Sequence, residues 1–428
     1  MGSIESTPSY IPVPILVPTR APILTPSTSG LIKGTRCMQY LLVVGVYLFL
    51  LHAAAGGHPR LDGQASLTNV ARRTTSAAQS VKWRFTGNNM TCPWSGSVAQ
   101  FGFTFSFLSS PDDIVVGIPN ANTYKGSAYT FSKSGGTWIE GTKITATDRN
   151  QYDYFGKSVA SLGESRFATG ALGYDTPGSA SGIAYIFTKS NGTWAQATTF
   201  SNSDNTAKDQ FGFILVPFEN STTRLLVTAP RNNEDTTQGS VFVFEMGNDV
   251  TSWNQMANIY PTDYELADDF GQMKQGTVVM DNATVLITAK DHSSPNDGGG
   301  AAWVFTYSGS GWVQDAKIQN SDQADDDWFG VAAEKITSSS SAMVSAKMKS
   351  SDDYRGAVYV FSKVSGTWTQ VQKLLPDGDV QQFANFGSSL ECYGENSVLI
   401  GSNGNGDTVA GAVYHFTAAA DGTWQQAG

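Results

Sequence analysis

A Phe-Gly pair returns six times along this 428-residue chain, at 101–102, 155–156, 211–212, 270–271, 329–330 and 386–387. The intervals are 54, 56, 59, 59 and 57 residues, and a period of that length marks stacked copies of one supersecondary unit. Some 30 to 35 residues after each Phe comes an alternating aromatic segment, such as Ser127-Ala-Tyr-Thr-Phe131, Ser240-Val-Phe-Val-Phe244 or Ala357-Val-Tyr-Val-Phe361. Period two with paired aromatics predicts a strand packed against a neighbouring sheet. A turn follows (Ser134-Gly-Gly-Thr137, Asn191-Gly-Thr193, Ser365-Gly-Thr367, Asp421-Gly-Thr423), then a tryptophan: Trp138, Trp194, Trp253, Trp312, Trp368 and Trp424. A further apolar strand lies between Phe-Gly and the aromatic segment, as in Leu225-Leu-Val-Thr228 and Val285-Leu-Ile-Thr288.

Each period therefore holds four short strands. A lone four-stranded sheet cannot bury both faces, whereas radial repetition packs each sheet on the next. The expected fold is all-β: a β-propeller of four-stranded antiparallel blades. The glycine suits a crowded innermost strand, and the phenylalanines and tryptophans suit the filling between blades. Six blades are recognisable. Trp83 precedes Phe101 by 18 residues, matching the 17 or 18 found elsewhere, so residues 81–86 read as an outer strand without inner partners. An incomplete seventh blade is preferred over six blades with a redundant strand, because an open sheet edge invites aggregation.

Phe-Gly, then Gly117-Ile-Pro119 or Thr228-Ala-Pro230, then Gly-x-x-Tyr-x-Phe, resembles the FG-GAP repeat. That repeat builds the propeller heads of integrin α-subunits and many secreted proteins. The resemblance spans residues ~98–428 and implies an extracellular setting. Its third element decays to Thr288-Ala-Lys290, Ser345-Ala-Lys347 and Gly401-Ser-Asn403. The calcium loops of integrin-like heads, between first and second strands, do not carry over. Ser109-Ser-Pro-Asp-Asp113, Glu219-Asn-Ser-Thr-Thr-Arg224, Asp281-Asn-Ala-Thr284 and Ser338–Ser341 lack the ligand spacing. No cofactor is expected; calcium is the one ion left open, with Asp407 in Asn403-Gly-Asn-Gly-Asp407 a weak candidate ligand.

Residues 1–37 carry six of the 16 prolines within the first 26 positions and read as an unpacked leader, or as an extension ahead of a true start at Met38. Residues 38–57 contain the apolar run Tyr40–Ala55, short for a spanning helix and ending in small residues, which predicts a cleaved signal peptide. The alternative is an uncleaved signal anchor. Residues 58–80 read as a flexible stalk, and 81–428 as the propeller. Sequons at Asn89, Asn191, Asn220 and Asn282 agree with an extracytoplasmic surface. Cys92 and Cys392, near each other in a ring, are a candidate disulfide.

Lys+Arg 27 against Asp+Glu 37, a net −10, argues against a nucleic-acid backbone as partner. In an antiparallel blade the loops between strands 4 and 1 and between strands 2 and 3 share one face. That face is expected to hold 22 of the 36 acids and 6 of the 24 bases beyond residue 55, favouring cations or a basic partner. The recurring Asp-x4-Asp (148/153 and 204/209) reads first as turn structure, but the run Asp325-Asp326-Asp327 exceeds what a turn needs. The binding-face candidates are Asp175, Arg231, Asp235, Asp268, Asp269, Asp291, His292, Asp325, Asp326, Asp327, Asp352 and Asp353. No nucleophile elbow, phosphate loop or H-E-x-x-H is present, so no enzyme is expected. The expected function is extracellular recognition or adhesion, with a partner protein, glycan or cation on the acidic face. A propeller hydrolase using face carboxylates, and a purely structural cell-surface protein, are the alternatives.

Overall fold

The computed structural model describes residues 100–204, 206–232, 238–265, 267–336, 340–378, 382–393, 396–404 and 411–427. They form six four-stranded antiparallel sheets, each with its strands in chain order. Blade 1 is β1 (Thr104–Leu108), β2 (Ser110–Ile118), β3 (Ser127–Ser134) and β4 (Thr137–Ile144). Blade 2 is β5 (Ser158–Ser161), β6 (Arg166–Ala171), β7 (Ile183–Ser190) and β8 (Thr193–Phe200). Blade 3 is β9 (Leu215–Pro217), β10 (Arg224–Ala229), β11 (Ser240–Met246) and β12 (Trp253–Ile259). Blade 4 is β13 (Thr277–Asp281), β14 (Thr284–Ala289), β15 (Ala301–Tyr307) and β16 (Trp312–Ile318). Blade 5 is β17 (Phe329–Lys335), β18 (Ser341–Ala346), β19 (Ala357–Val364) and β20 (Thr367–Leu374). Blade 6 is β21 (Phe386–Cys392), β22 (Ser397–Ser402), β23 (Ala412–Ala418) and β24 (Trp424–Gln426).

The propeller architecture agrees with the repeat. The strand at residues 81–86, and with it the seventh blade, lies outside the described residues. So do the leader, the apolar run at 40–55, the stalk, Asn89 and Cys92. Among the described residues no helix is long and apolar enough to cross a membrane.

Apolar layers between successive blades make the core. Leu225, Val227, Phe244 and Trp253 of blade 3, for example, interleave with Ala168, Ile186 and Phe200 of blade 2. The Phe of each Phe-Gly packs on the aromatics of its own third strand: Phe211 lies 5.8 Å from Phe242 and 5.6 Å from Phe244. Phe155, Phe211, Phe270, Phe329 and Phe386 are fully buried. The period-two aromatics thus close one layer in every blade, at roughly 1.5–3 kcal/mol per buried side chain. Trp194, Trp253 and Trp424 are buried and Trp138, Trp312 and Trp368 half-buried, as packing residues should be.

The Phe-Gly pair is also a clasp. Its Phe N–H donates to a carbonyl just before the third strand of the preceding blade: Phe155 to Lys125, Phe211 to Ser181, Phe270 to Gln238, Phe329 to Gly299 and Phe386 to Arg355, at 2.7–3.2 Å. Two glycines permit this approach. Gly156 has φ +86 and Gly126 φ +79, and a Cβ on either would meet main-chain oxygen of the adjoining blade. Backbone crowding and a left-handed φ together demand glycine there.

The inner strands surround a common axis. A short 3-10 turn at Lys274–Gly276, ahead of β13, reaches across it. Lys274 Nζ lies 3.3 Å from Thr104 Oγ1 of blade 1, and Gln275 Nε2 lies 3.5 Å from the Leu390 carbonyl of blade 6.

Candidate functional site

The loops joining strand 4 of one blade to strand 1 of the next lie beside the loops joining strands 2 and 3. Lys208 N donates to Ser179 O at 2.8 Å, and Asp326 N to Asp297 O at 2.7 Å. This is the face on which the acids were expected to gather.

One turn repeats at the entry to blades 2 to 5. An aspartate two residues before Phe (Asp153, Asp209, Asp268, Asp327) accepts the N–H of the residue three positions earlier (Asn150, Thr206, Glu265, Ala324). Those four side chains are buried. The residues flanking them are left-handed, including Tyr152 and Tyr154, Lys208 and Gln210, and Asp326 and Trp328. The earlier aspartate of Asp-x4-Asp has its own task in three blades. Asp148 accepts from the Tyr185 hydroxyl, Asp263 from the Trp303 indole N–H and Asp322 from the Tyr359 hydroxyl, at 3.1, 2.9 and 2.7 Å. The motif is therefore a structural turn that also ties the loop to the third strand.

A second position varies from blade to blade. The third residue after the end of strand 2 meets the buried aspartate: Asn232 Nδ2 is 3.2 Å from Asp209, His292 Nδ1 3.0 Å from Asp268 and Lys349 Nζ 2.7 Å from Asp327. In blade 2 the equivalent Tyr174 turns instead to Asp148 at 3.3 Å. Asp153 Oδ1 is then left without a hydrogen-bond partner among the described residues, and burial pushes this carboxyl up to about 6. Burial acts the same way on Asp322, yet hydrogen bonds from Lys373 and Tyr359 outweigh it and hold that carboxyl near about 2.

Asp268, His292 and Asp327 are thus corrections to the expected surface. They are buried at 0–1% exposure and act as turn latches beneath the face. Asp325 also serves a turn, since its Oδ1 accepts the Asp297 N–H at 3.1 Å. Asp175, Arg231, Asp325, Asp326 and Asp353 are exposed, and Asp269, Asp291 and Asp352 half-buried. Asp352 is held by Lys373 at 2.5 Å. Asp235 and Asp407 lie outside the described residues.

Aromatic rings share this face, which the sequence reading did not assign to binding. Tyr124 stacks on Tyr152 with ring centroids 5.5 Å apart and planes 18° apart, and Tyr154 closes the group at 5.6 Å. Tyr354 stacks on Phe383 in the same way between blades 5 and 6, at 5.2 Å and 14°. Trp328 lies under Lys290 at 5.3 Å. In the sequence these rings show only as aromatics beside the turn acids, as in Tyr152-Asp-Tyr154 and Asp327-Trp328; the structure shows them at left-handed turn positions, where strain disfavours a bulky residue.

A further set of charges lies near the axis. Burial pushes Glu334 up to about 8 and Glu391 up to about 7; the neighbouring Cys392 thiol is raised first by its own burial and then by these two carboxyls. Burial draws Lys274 down to about 8. Cys392 is half-buried at the end of β21; its expected partner, Cys92, is not among the described residues.

An FG-GAP repeat family model matches residues 138–187 and 368–416. This chain carries FG-GAP repeats. Each match runs from the outer-strand tryptophan of one blade to the third-strand phenylalanine of the next. The FG-GAP unit therefore straddles the blade boundary and contains the clasp. No curated protein matches the chain. Among solved structures, it resembles a provisionally named 6-phosphogluconolactonase from Bacteroides uniformis, 12% identical over 76% of this chain and 83% of that one, TM-score 0.48. A Lactobacillus plantarum protein is 11% identical over 76% and 84%, TM-score 0.47. At these scores no activity passes from either to this FG-GAP chain.

Proposed function

We propose that this FG-GAP propeller is a non-catalytic extracellular recognition module that binds a basic protein partner on the face built by its 4–1 and 2–3 loops. The observation that carries the reading is the pairing of exposed carboxylates (Asp175, Asp325, Asp326, Asp353) with part-exposed rings (Tyr124, Tyr152, Trp328, Tyr354) on one face. Lysine and arginine side chains are attracted both to carboxylates and to the faces of such rings. The sequon residues Asn191, Asn220 and Asn282 are exposed, in turns joining strands 3 and 4 or 1 and 2. Glycans at those sites would project from the opposite face and leave the acidic one uncovered.

A glycan ligand is the second reading, favoured by the flat Tyr124–Tyr152 stack. The test is to screen the full chain against basic peptides and neutral oligosaccharides, then titrate each binder with salt. The protein reading expects peptide binders that weaken as salt rises and on Tyr152→Ala. Salt-insensitive oligosaccharide binding that is lost on Tyr152→Ala would support the glycan instead.

A further inference from the structure

The latch in blade 4 differs from its neighbours in a way that points to a bound ion. In blade 3 both oxygens of Asp209 are satisfied: Oδ1 accepts from the Thr206 hydroxyl at 2.9 Å, and Oδ2 from the Thr206 N–H and from Asn232. In blade 5 Asp327 Oδ1 accepts from Ser350 N, and Oδ2 from Ala324 N and Lys349. Blade 4 places Glu265 where blade 3 has Thr206. A hydroxyl donor is thereby replaced by a second carboxylate. Among the described residues, Asp268 Oδ1 is left buried without a hydrogen-bond partner, on a residue 1% exposed. A buried acceptor with no donor, beside an added negative charge, is costly unless a cation compensates it.

We propose that Glu265, Asp268 and His292 form a binding site for a divalent first-row transition metal. One donor atom from each lies within 4.8 Å of the others, and His292 Nδ1 already sits 3.0 Å from Asp268 Oδ2. Donors about 2.0–2.2 Å from a shared ion stand roughly 3 Å apart, so modest side-chain closure completes the set. One imidazole with two carboxylates suits zinc or manganese; calcium takes oxygen ligands.

Lys317 regulates the site. Its Nζ lies 2.8 Å from His292 Nε2 and 2.8 Å from Asp263 Oδ2. Without the ion, His292 donates its Nδ1 proton to Asp268 and accepts from Lys317. When the ion takes Nδ1, that proton passes to Nε2, and Lys317 keeps its own protons and turns wholly to Asp263. The ion and the Lys317–His292 contact therefore compete.

The experiment is equilibrium dialysis of the full chain against zinc chloride, with calcium chloride as competitor and thermal unfolding as the control for folding. Wild type is expected to hold one zinc that excess calcium does not displace. His292→Asn reproduces the blade 3 latch, and Glu265→Thr its donor; both are expected to fold normally and to lose that zinc by tenfold or more in affinity. Lys317→Met is expected to bind zinc more tightly than wild type. Absence of saturable zinc binding, zinc retained unchanged in both His292→Asn and Glu265→Thr, or equal displacement by calcium would each overturn the proposal.

Discussion

Lys349 Nζ and Asp327 Oδ2 meet 2.7 Å apart, and both side chains are sealed from solvent at 0% exposure. The ammonium also donates to the Asp322 carbonyl, and Asp327 accepts from Ser350 N at 2.9 Å. Breaking such a pair leaves an uncompensated buried charge, which costs about 3–5 kcal/mol. Lys349→Ala should lower stability by about that amount in urea unfolding. Lys349→Asn should lose less, because an amide serves the same position as Asn232 in blade 3. Equal losses would mean that the position does not work as a latch.

The clasp makes a sharper demand on glycine. Gly126 and Gly192 share φ +79, but only Gly126 has a neighbouring blade where a Cβ would stand. Gly192→Ala should show the backbone strain alone, roughly 1–3 kcal/mol. Gly126→Ala should cost distinctly more and should loosen the contact of blade 1 with blade 2. Hydrogen exchange at the Phe155 amide reads this directly, with faster exchange expected in Gly126→Ala only.

Stability should fall as pH rises through the neutral range. Glu334 and Glu391 titrate at about 8 and about 7 in the fold against an ordinary 4.5, chiefly because burial disfavours their charged forms. A carboxyl raised in this way favours the folded state while protonated. Its contribution is complete below pH ~4.5 and is lost as pH climbs through the folded value. Thermal unfolding should therefore show a higher Tm at pH 5.5 than at pH 8. Glu334→Gln should flatten the slope and exceed wild type at pH 8; a slope unchanged in that variant would place its origin elsewhere.

Glycans offer a test of which face is used. Asn191, Asn220 and Asn282 all lie in turns on the side away from the 4–1 and 2–3 loops. If these sequons carry glycans when the chain is expressed in eukaryotic cells, their enzymatic removal should leave partner binding unchanged within about twofold. A large gain in affinity would indicate that the partner approaches the opposite face.

The fold was legible because packing leaves little choice. Phe155, Phe211 and Phe329 must fill the same space in each blade, so residue type and spacing both repeat. The turn aspartates were legible for the same reason. The residues at the facing position were not: Tyr174, Asn232, His292 and Lys349 share that position and no chemistry, and Tyr174 turns to Asp148 instead of the buried aspartate, so a pattern of residue types cannot reveal the latch. Burial of Asp268 and Asp327 was hidden likewise, since loop carboxylates ordinarily face water. Lys274 escaped notice because extra residues after Phe270 carry it across the axis instead of along an inner strand. Glu334 and Glu391 occupy a position where blades 2 and 3 have Ala160 and Val216, and nothing local marks them as enclosed.

The most direct measurement of the central claim is the association rate of an oligolysine peptide with charge-reversed propellers. Asp325→Lys with Asp326→Lys alters the proposed face. Asp112→Lys with Glu164→Lys makes the same change in net charge at exposed positions on the other side. Because steering depends on where charge lies, the first pair should slow association by about tenfold at low salt and the second should leave it near wild type. Equal slowing by both pairs would contradict a binding face, leaving only the net charge of the chain.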